Sequence, residues 1–576
     1  MASLKRLIID ALKSLSRGRS FLQTLLAFWI SPKSDPTKVK QTRKFQRARD
    51  EFLKEAKELL LGPIDSNRFL RHDHSLIIPN NSDTNPNLDD PLLLLSRKLK
   101  AQFLEGLQTK PTCMLPSYNH QLPGGHERGR YLAVDIGGST LRVGLVDLKG
   151  REITNDGDNT IVHLDNHTID KGARSLRGTD FFKWMAQKIE TSVKRTIDAG
   201  HISREEYESG DPLPLGMAWS FPLEQTSPNG GNICPMGKSF LACDGLIGQD
   251  LGATCNMVFR ELEVNVEVVS IVNDSNATLL SSAYFNPSTR FGLILGTGVN
   301  IAAHLPINLI GKPKFGDRPD SWYEQASHVM VNTELGMFGH GILPLTRWDK
   351  ILKAGHERPD FQPLEHPVSG YYLGEVFRIA LLEAIKTTGV LGGEIPPLLL
   401  EAYFMDTETM SLMVDGLDSG GKAKEVFSQL YHLPSGLPST EDMQVIQQLA
   451  GYIAQRSASI VAASLFVLWE LKNEAEQILL DELEPESPFS EETAVELQIE
   501  RTTVGYTGSV LSHFPGYKET LQSYLNQLIV SSGNDLKERR IELVQAKESS
   551  LLGAAVSLAG MVEEEGRMKV DEKGST

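Results

Sequence analysis

The chain has 576 residues, of which 40% are hydrophobic and 23% are charged, so it can form two large lobes with a core in each. Its net charge of −16 argues against a nucleic-acid partner, because a protein that binds a phosphate backbone needs a basic patch. The four cysteines form no CxxC pair, which predicts neither a zinc site nor a disulfide scaffold and is typical of a cytoplasmic, reducing compartment.

The first 30 residues are basic, and their apolar side chains are spaced for one face of a helix. Such a helix could contact a membrane surface or direct the chain to mitochondria, but the pattern fits a short packed helix equally well. Residues 31–50 are basic and polar and predict a solvated linker, whereas residues 51–61 have helical spacing. We therefore expect residues 1–92 to form an N-terminal extension.

A loop rich in asparagine and proline, at 79–91, precedes the regular fold. A lead segment at 93–129 then contains an amphipathic helix at Leu93–Leu107. Residues 473–495 carry many acidic side chains and two prolines, which predict a solvated acidic loop. Further helices are predicted at about 178–198, 371–388, 442–471 and 515–530.

Two glycine-rich turns each follow an apolar strand pattern. Gly137-Gly138-Ser139 lies between Leu132–Ile136 and Leu141–Leu148, and Gly296-Thr297-Gly298 lies in a second such pattern from Phe291 to Ala303, so each turn is predicted at the tip of a hairpin. A turn with little side-chain bulk lets backbone N–H groups reach phosphate oxygens. Asn273-Asp274 lies between the two turns in the sequence and supplies a carboxylate that could serve a nucleophile. The order of these segments predicts phosphoryl transfer.

Six segments in the same order resemble those of the eukaryotic hexokinases, over about residues 93 to 560. They are Tyr131–Arg142 (first phosphate segment), Ser220-Phe221-Pro222 with Lys238 (sugar segment), Val272-Asn273-Asp274 (catalytic segment), Gly296–Asn300 (second phosphate segment), Asn332–Gly339 (sugar loop) and Leu364-Glu365 (second sugar glutamate).

The resemblance implies an α/β fold of the two-lobed, actin-like ATPase (sugar kinase) type, with ribonuclease H-like lobes around a deep cleft. It places the small lobe at 130–270 and the large lobe at 271–550. A C-terminal helix at 551–565 would return to the small lobe, and 566–576 would be a disordered tail. Lobes that close only over a bound sugar would protect ATP from hydrolysis.

The same resemblance implies a role for each matching side chain. Asp274 and Lys238 would be catalytic, with Asp274 accepting the proton of the attacking sugar hydroxyl. The hexose or amino sugar would be bound by Ser220, Lys238, Asn273, Asp274, Asn300, Glu334 and Glu365.

The implied cofactors are ATP and Mg²⁺. Asp135 would hold Mg²⁺ through water. The nucleotide would be bound by Asp135, Gly137, Gly138, Ser139, Thr140, Arg142, Gly296, Thr297, Gly298, Gly508, Ser509 and Ser550.

Three departures from the family pattern bear on activity. Met236-Gly237-Lys238-Ser239 replaces Trp-Thr-Lys-Gly, which removes one hydroxyl contact and opens space beside the sugar. Ser275-Asn276-Ala277-Thr278 replaces Thr-Val-Gly-Thr after the catalytic aspartate. Leu551 replaces a glycine where the backbone is expected to approach the nucleotide, which predicts weaker ATP binding.

Three interpretations follow. The first is an active kinase for a larger sugar such as N-acetylglucosamine, for which Gly237 leaves room. The second is a glucose-phosphorylating hexokinase that tolerates the changes. The third is a catalytically weak, hexokinase-like regulator that binds sugar or partners. The retained acidic and lysine residues favour an active kinase.

Overall fold

The computed structural model describes residues 36–64, 90–152, 161–236, 240–415, 422–431, 436, 438–484, 486–533 and 538–574. The predictions for residues 1–30, for most of the loop at 79–91 and for Lys238 with its neighbours Gly237 and Ser239 lie outside these ranges. The strands are β1 Leu115–Pro116, β2 Arg128–Ile136, β3 Thr140–Lys149, β4 Ile161–Thr168, β5 Leu213–Trp219, β6 Leu223–Ser227, β7 Gly230–Ile233, β8 Val266–Asn273, β9 Thr289–Leu295, β10 Val299–Pro306, β11 His328–Asn332, β12 Arg501–Thr507 and β13 Arg540–Gln545.

The helices are more numerous than the strands and include several single turns. They are α1 Pro36–Leu60, α2 Pro91–Thr109, α3 Lys171–Arg174, α4 Thr179–Asp198, α5 Arg204–Ser209, α6 Leu251–Glu261, α7 Asp274–Phe285, α8 Asp320–Tyr323, α9 Arg347–Gly355, α10 Glu365–Val368, α11 Gly370–Thr388, α12 Thr407–Asp415, α13 Lys422–Tyr431, α14 Thr440–Glu482, α15 Pro488–Leu497, α16 Ser509–His513, α17 Tyr517–Ser532 and α18 Ser549–Gly574.

The small lobe is built on a five-stranded sheet with the order β4-β3-β2-β5-β8. Strands β2, β5 and β8 are parallel, and their last residues, Ile136, Trp219 and Asn273, are paired across the sheet. The carboxyl ends of these strands therefore meet at one edge, where loops of α/β proteins bind ligands. The predicted hairpin of β2 and β3 is confirmed, with Gly137–Ser139 at its tip.

The large lobe is built on a six-stranded sheet with the order β1-β11-β10-β9-β12-β13. The second predicted hairpin, β9 and β10, is also confirmed and carries Gly296–Gly298 at its tip. Strand β12 is parallel to β9 and ends at Thr507, which is paired with Ile294. The turn after β12 consequently lies beside the second glycine turn. The two sheets and the helices around them form the α/β sugar kinase fold that the sequence predicts.

Helices α7 and α18 lie together between the two sheets. An added Cβ on Gly553 of α18 would overlap the Ala277 carbonyl of α7, so only glycine permits this approach. Likewise, Gly216 of β5 leaves room for the backbone of Ala554. The apolar side chains of α7 and α18 form a separate buried cluster that also includes Met330 of the large sheet. Helix α18 continues to Gly574, beyond the end expected at residue 565.

The 43-residue helix α14 forms the centre of the large-lobe core. It begins with a capping box, in which the Ser439 hydroxyl accepts from the backbone N–H of Asp442 and the Asp442 carboxylate accepts from that of Ser439. Within the described ranges it is the single helix long and apolar enough to cross a membrane, but 83% of its apolar window is buried inside the protein. This burial is typical of a core helix.

Two sequence predictions are wrong. The part of the expected linker at 31–50 that the structure describes, from Pro36, belongs to helix α1. Arg49 of this helix donates to Asp442 at the start of α14, at 2.6 Å. Most of the expected acidic loop at 473–495 belongs instead to the end of α14, up to Glu482, and to α15, from Pro488.

Most acidic residues of this region are exposed, but Glu476 is buried, and so is Glu496 just after the region. Glu496 accepts two hydrogen bonds from Arg290, and Lys472 contacts both Glu496 and Glu476. Burial alone would raise the pKa of Glu496, but Lys472 and Arg290 outweigh this effect and hold it well below its ordinary value. Arg290 lies on β9, 206 positions before Glu496, so the local composition gave no sign of this buried pairing.

Candidate active site

Asp274 is the first residue of helix α7, directly after the carboxyl end of β8. Asn273 is the N-cap of that helix, and its Oδ1 accepts from the backbone N–H of Ser275 at 2.9 Å and from the Ser275 hydroxyl at 2.6 Å. The capping bonds fix the start of the helix and so the position of Asp274. The positive end of the helix dipole stabilises negative charge at this carboxylate.

A chain of hydrogen bonds connects this helix start to the large lobe. Asn300 Nδ2 lies 3.4 Å from Ser275 Oγ and 2.8 Å from Asn332 Oδ1. Asn332 Nδ2 in turn donates to Glu334 Oε1 at 2.9 Å. The structure therefore brings three predicted sugar-binding residues, Asn273, Asn300 and Glu334, into one polar network.

Glu334 adopts a left-handed conformation, with φ 48° and ψ 54°. Such a conformation is uncommon for a residue other than glycine, and it is found where the surrounding structure imposes it. Here the backbone N–H of Glu334 donates to Asn332 Oδ1 at 3.1 Å, which closes a tight turn. The turn directs the glutamate backbone away from β11 towards the following 3₁₀ turn, Leu335–Met337.

Glu365 begins the short helix α10 and reaches the second hairpin. Its Oε1 accepts from the backbone N–H of Val299 at 3.0 Å. An added Cβ on Gly298 would lie 3.1 Å from the same oxygen, and one on Gly336 would lie 2.9 Å from the Glu365 side chain. Glycines on both sides thus let the carboxylate sit between the second phosphate turn and the sugar loop.

Asp135 and Arg142 face each other across the first hairpin. Arg142 donates to Asp135 Oδ2 from Nε at 2.9 Å and from Nη2 at 2.5 Å, and it reaches Glu548 with Nη1 at 3.1 Å. Burial raises the pKa of Asp135, and the arginine offsets part of this effect. Ser220 follows β5 on the same edge, with its N–H bonded to the Ile136 carbonyl.

The remaining residues of the first phosphate segment form a closed turn. The Gly137 N–H donates to the Thr140 carbonyl at 3.0 Å, and the Ser139 carbonyl accepts from Ile169 at 2.8 Å. Gly138 lies between them at the tip, and Thr140 begins β3. The turn is therefore held by its backbone, which leaves its small residues at the carboxyl edge of the sheet.

The second phosphate turn is held by helix α11. The backbone N–H groups of Gly370 and Tyr371 donate to the carbonyls of Gly296 and Thr297 at 2.8 and 3.1 Å. Gly508 has φ 109°, and its backbone packs against Leu295 and Gly296. The backbone nitrogen of Ser509 also lies close to Gly296, since a Cβ added to this glycine would stand 3.3 Å from it. The turns after β9 and β12 are therefore adjacent, as the sequence predicts for a shared nucleotide site.

Leu551, for which the family pattern predicts weaker ATP binding, lies in the first turn of α18. The side chain is fully buried and packs against Gly144 of β3, not at the tip of a glycine turn. Ser550 is also buried, in the first turn of α18. The close helix approach is made instead at Gly553. The replacement of glycine by leucine at this position thus adds to the core between the lobes.

A cavity of about 30 Å³ lies behind the catalytic segment. It is bordered by Trp219 and Phe221 of the small lobe and by Asn332 of the large lobe. Asn276 also borders it, and its Oδ1 is a buried acceptor that has no partner in the described ranges. This volume holds a water molecule but not a hexose, so we assign the cavity to internal water.

Two connecting residues, Ser275 and Asn332, were not predicted as site residues. Ser275 was noted for its departure from threonine, yet serine keeps the hydroxyl that bonds Asn273 and approaches Asn300. Asn332 stands two residues before Glu334, and an amide at that spacing is the signal for a side chain that closes a turn on its own backbone. Glu548, the second partner of Arg142, was also missed because the two residues are 406 positions apart.

Comparison with known proteins decides the family. Two family models, each described as hexokinase, match residues 88–284 and 290–560. The chain belongs to the hexokinase family. It is therefore a hexokinase-type phosphotransferase, a sugar kinase that phosphorylates a hexose.

Curated hexokinases from fungi and plants are similar over most of the chain. Hexokinase of Kluyveromyces lactis is 28% identical over 77% of this chain and 83% of its own length. Hexokinase-1 of Saccharomyces cerevisiae is 28% identical and Hexokinase-1 of Arabidopsis thaliana 27% identical, again over 77% of this chain and over 83% and 82% of their own lengths. A solved structure of Schistosoma mansoni hexokinase complexed with glucose has a TM-score of 0.65 at 23% identity and covers 89% of this chain and 99% of its own. That likeness establishes the shared fold.

Proposed function

We propose that this protein transfers the γ-phosphoryl group of ATP to the 6-hydroxyl of a hexose, with Asp274 as the general base. One observation carries the proposal. Asp274 stands at a capped helix start that is connected through Ser275 and Asn300 to the network of Glu334. A sugar bound by the amide and carboxylate groups of this network would place a hydroxyl beside Asp274.

The sugar would be held by side chains from both lobes. Asn300, Glu334 and Glu365 would bind ring hydroxyls from the large lobe, while Ser220, Lys238 and Asn273 would approach from the small lobe. Every hydroxyl needs a partner once water is expelled, which explains the dense amide and carboxylate groups here. Asn273 uses its Oδ1 in the helix cap, so its Nδ2 is the atom available to a sugar hydroxyl.

The residues present fit ATP and Mg²⁺. Three glycine-containing turns, after β2, β9 and β12, are built without side-chain bulk at carboxyl strand ends. Asp135 offers a single buried carboxylate, and no cluster of three acidic, histidine or cysteine ligands exists in the described ranges. This suits Mg²⁺, which keeps several waters and takes phosphate oxygens as ligands. Bound Mg²⁺ would neutralise charge on the transferring phosphoryl group.

The sugar is tested with a panel of glucose, fructose, mannose and N-acetylglucosamine in the presence of ATP and Mg²⁺. We expect turnover of at least one sugar. Asp274→Ala should lower kcat by about 10²- to 10⁴-fold, because a positioned base contributes that much. Asp211→Ala, at an exposed aspartate, is the matched control and should turn over like the wild type.

The panel also distinguishes glucose from N-acetylglucosamine as the preferred substrate. Gly237 in place of threonine is the feature that favours the amino sugar, and Gly237→Thr should then raise KM for N-acetylglucosamine more than KM for glucose. Sugar binding without turnover of any sugar would contradict the proposal and would support the hexokinase-like regulator.

We also propose a cytoplasmic protein with peripheral membrane contact, on mitochondria, through residues 1–30. The support is the basic, one-sided apolar pattern of this segment. A fluorescent fusion of residues 1–30 should concentrate on mitochondria, and replacing its five basic residues with glutamine should disperse it. A diffuse signal from the unchanged segment would contradict the proposal.

A further inference from the structure

Gln225 on β6 connects two separate segments behind the catalytic segment. Its Nε2 donates to the Ile271 carbonyl of β8 at 2.9 Å. Its Oε1 accepts from the Ser117 hydroxyl at 2.9 Å and from the Tyr118 backbone N–H at 3.0 Å. A backbone N–H only donates and a carbonyl only accepts, so these partners fix the orientation of the amide. Both ends of the Gln225 amide group are therefore engaged.

The bond to Ile271 lies on the outer edge of the strand that leads into Asp274. Strand β8 is the last in the order of the small-lobe sheet and pairs with β5 on its inner edge. On the outer edge, the N–H of Ile271 donates to the Pro228 carbonyl at 2.9 Å, and its carbonyl accepts from Gln225. Ile271 is buried, so bulk water would not replace a bond lost at this carbonyl. The strand is thus held on both edges, three residues before Asp274.

The other side of Gln225 is anchored to the large lobe. Strand β1 pairs with β11 of the large sheet, with Leu115 opposite Asn332. Ser117 follows β1, and its backbone N–H donates to the Met330 carbonyl of β11 at 2.7 Å. The partner of Gln225 is therefore held by the strand that leads into the sugar loop. Gln225 consequently spans the two lobes.

The site thus has two hydrogen-bonded connections between the lobes. The first runs from the start of α7 to the sugar loop through the amide of Asn300. The second runs from β8 to the segment after β1 through Gln225. The cavity of about 30 Å³ lies between them and is bordered by residues of both. Two separated connections fix the orientation of β8 as well as its distance from the large sheet, and so the position of Asp274 relative to Glu334.

We propose that Gln225 is a positioning residue for phosphoryl transfer, which holds β8 so that Asp274 meets the attacking hydroxyl of a sugar bound to the large lobe. The inference rests on the proposed role of Asp274 as the general base. Gln225 acts through the Ile271 carbonyl. A shift of about 1 Å in a reacting group can slow a reaction about 100-fold, because transfer needs near-attack geometry. The loss should therefore appear in kcat, since other side chains provide the sugar affinity.

The test combines steady-state kinetics on the accepted hexose with single-turnover formation of the sugar phosphate. Gln225→Met keeps the length of the side chain and removes its donor and its acceptor. We expect kcat and the single-turnover rate to fall by about 10- to 100-fold, with KM for the hexose within about threefold. Ser117→Ala keeps the bond to Ile271 and should stay within about threefold in kcat. Gln187→Met, at an exposed glutamine of the small lobe, is the matched control.

Gln225→Glu separates positioning from a purely structural role. An ionised carboxylate cannot donate to the Ile271 carbonyl, whereas a protonated carboxyl of the same shape can. Its kcat relative to the wild type should therefore be lowest near about pH 8 and rise as the pH falls towards about 6. Thermal unfolding gives the folded fraction of each variant at the assay temperature, so that kcat is expressed per folded enzyme. This variant carries the test if Gln225→Met does not fold.

The proposal is overturned if kcat per folded enzyme of the folded Gln225 variants stays within about threefold of the wild type at every pH, or if only KM rises. Asp274→Ala, measured in parallel, separates this result from a failure of the proposed function. If Asp274→Ala remains active, the assignment of the general base is wrong and the inference fails with it. If Asp274→Ala is inactive while the Gln225 variants match the wild type, only the inference fails.

Discussion

Arg142 places two guanidinium nitrogens on a single oxygen, Oδ2, of Asp135, directly across the β2–β3 pair. The residues are cross-strand partners, so the contact is set by the register of the first hairpin. It holds a buried carboxylate at the strand end from which the first phosphate turn departs. The hairpin thus places the glycine turn and a fixed acidic group close together, because Asp135 and Arg142 are seven positions apart on either side of the turn.

Removing this arginine should destabilise the small lobe. Arg142→Met leaves the Asp135 carboxylate buried without its cation, which should lower the free energy of unfolding by about 1–3 kcal/mol. Glu548→Gln removes only the outer, half-exposed partner and should cost no more than about 0.5 kcal/mol. Urea unfolding of both variants measures the difference. Equal losses would show that the Asp135 pair is not the stabilising contact.

Glu365 should contribute to sugar affinity more than to the chemical step. Glu365→Gln keeps the shape but weakens charge-assisted hydrogen bonds, so KM for the accepted hexose should rise by roughly 10- to 100-fold with a smaller change in kcat. Glu357→Gln, at an exposed position of the same loop region, should leave both constants as in the wild type. Steady-state kinetics on the two variants checks this, and a pure loss of kcat would contradict a binding role.

Two glycines of α18 should respond in opposite directions to alanine. Gly553→Ala forces a Cβ onto the carbonyl of Ala277, and overpacking of this kind should cost about 1–3 kcal/mol. Gly560→Ala meets open space in the same helix and should stabilise the protein by about 0.5–1 kcal/mol through helix propensity. Thermal unfolding of the two variants gives the signs. Two equal shifts would contradict the close approach of α7 and α18.

The protein should lose stability in mild acid because of His366. Burial, with the nearby His356, lowers the pKa of His366 to about 4 from 6.5. Below pH 6.5 the unfolded chain therefore binds a proton at this histidine, whereas the folded chain does not bind it until the pH approaches 4. The contribution of the neutral His366 to the free energy of unfolding is fully present above pH 6.5 and is lost as the pH falls towards 4. Unfolding midpoints at pH 7 and pH 5 should differ less in His366→Gln than in the wild type. His126→Gln, at an exposed histidine, controls for loss of one imidazole.

Local patterns predicted the parts of the site that depend on local sequence. The hairpins and the glycine turns follow from strand patterns and turn residues, and these predictions of structure are confirmed. The predicted helices near 93, 178, 371 and 515 are also present, within a few residues of the expected ends.

The wrong predictions concern residues whose partners are distant in sequence. Glu476, inside the expected acidic loop, is buried against His328, 148 positions away, so its charge gave no sign that it is buried. The basic stretch before residue 50 forms a helix because Arg49 and its neighbours pack on α14 and α11. Long-range packing of this kind overrides local composition.

The contact between Arg142 and Glu548 spans 406 positions, and it comes from α18 lying on β2 and β5. During translation, the early strands of the small lobe emerge long before the helix that covers their apolar face. Until then, this uncovered face is a surface on which a nascent chain can aggregate or recruit a chaperone. The small lobe is therefore completed late in synthesis, because α18 leaves the ribosome after the strands of both sheets.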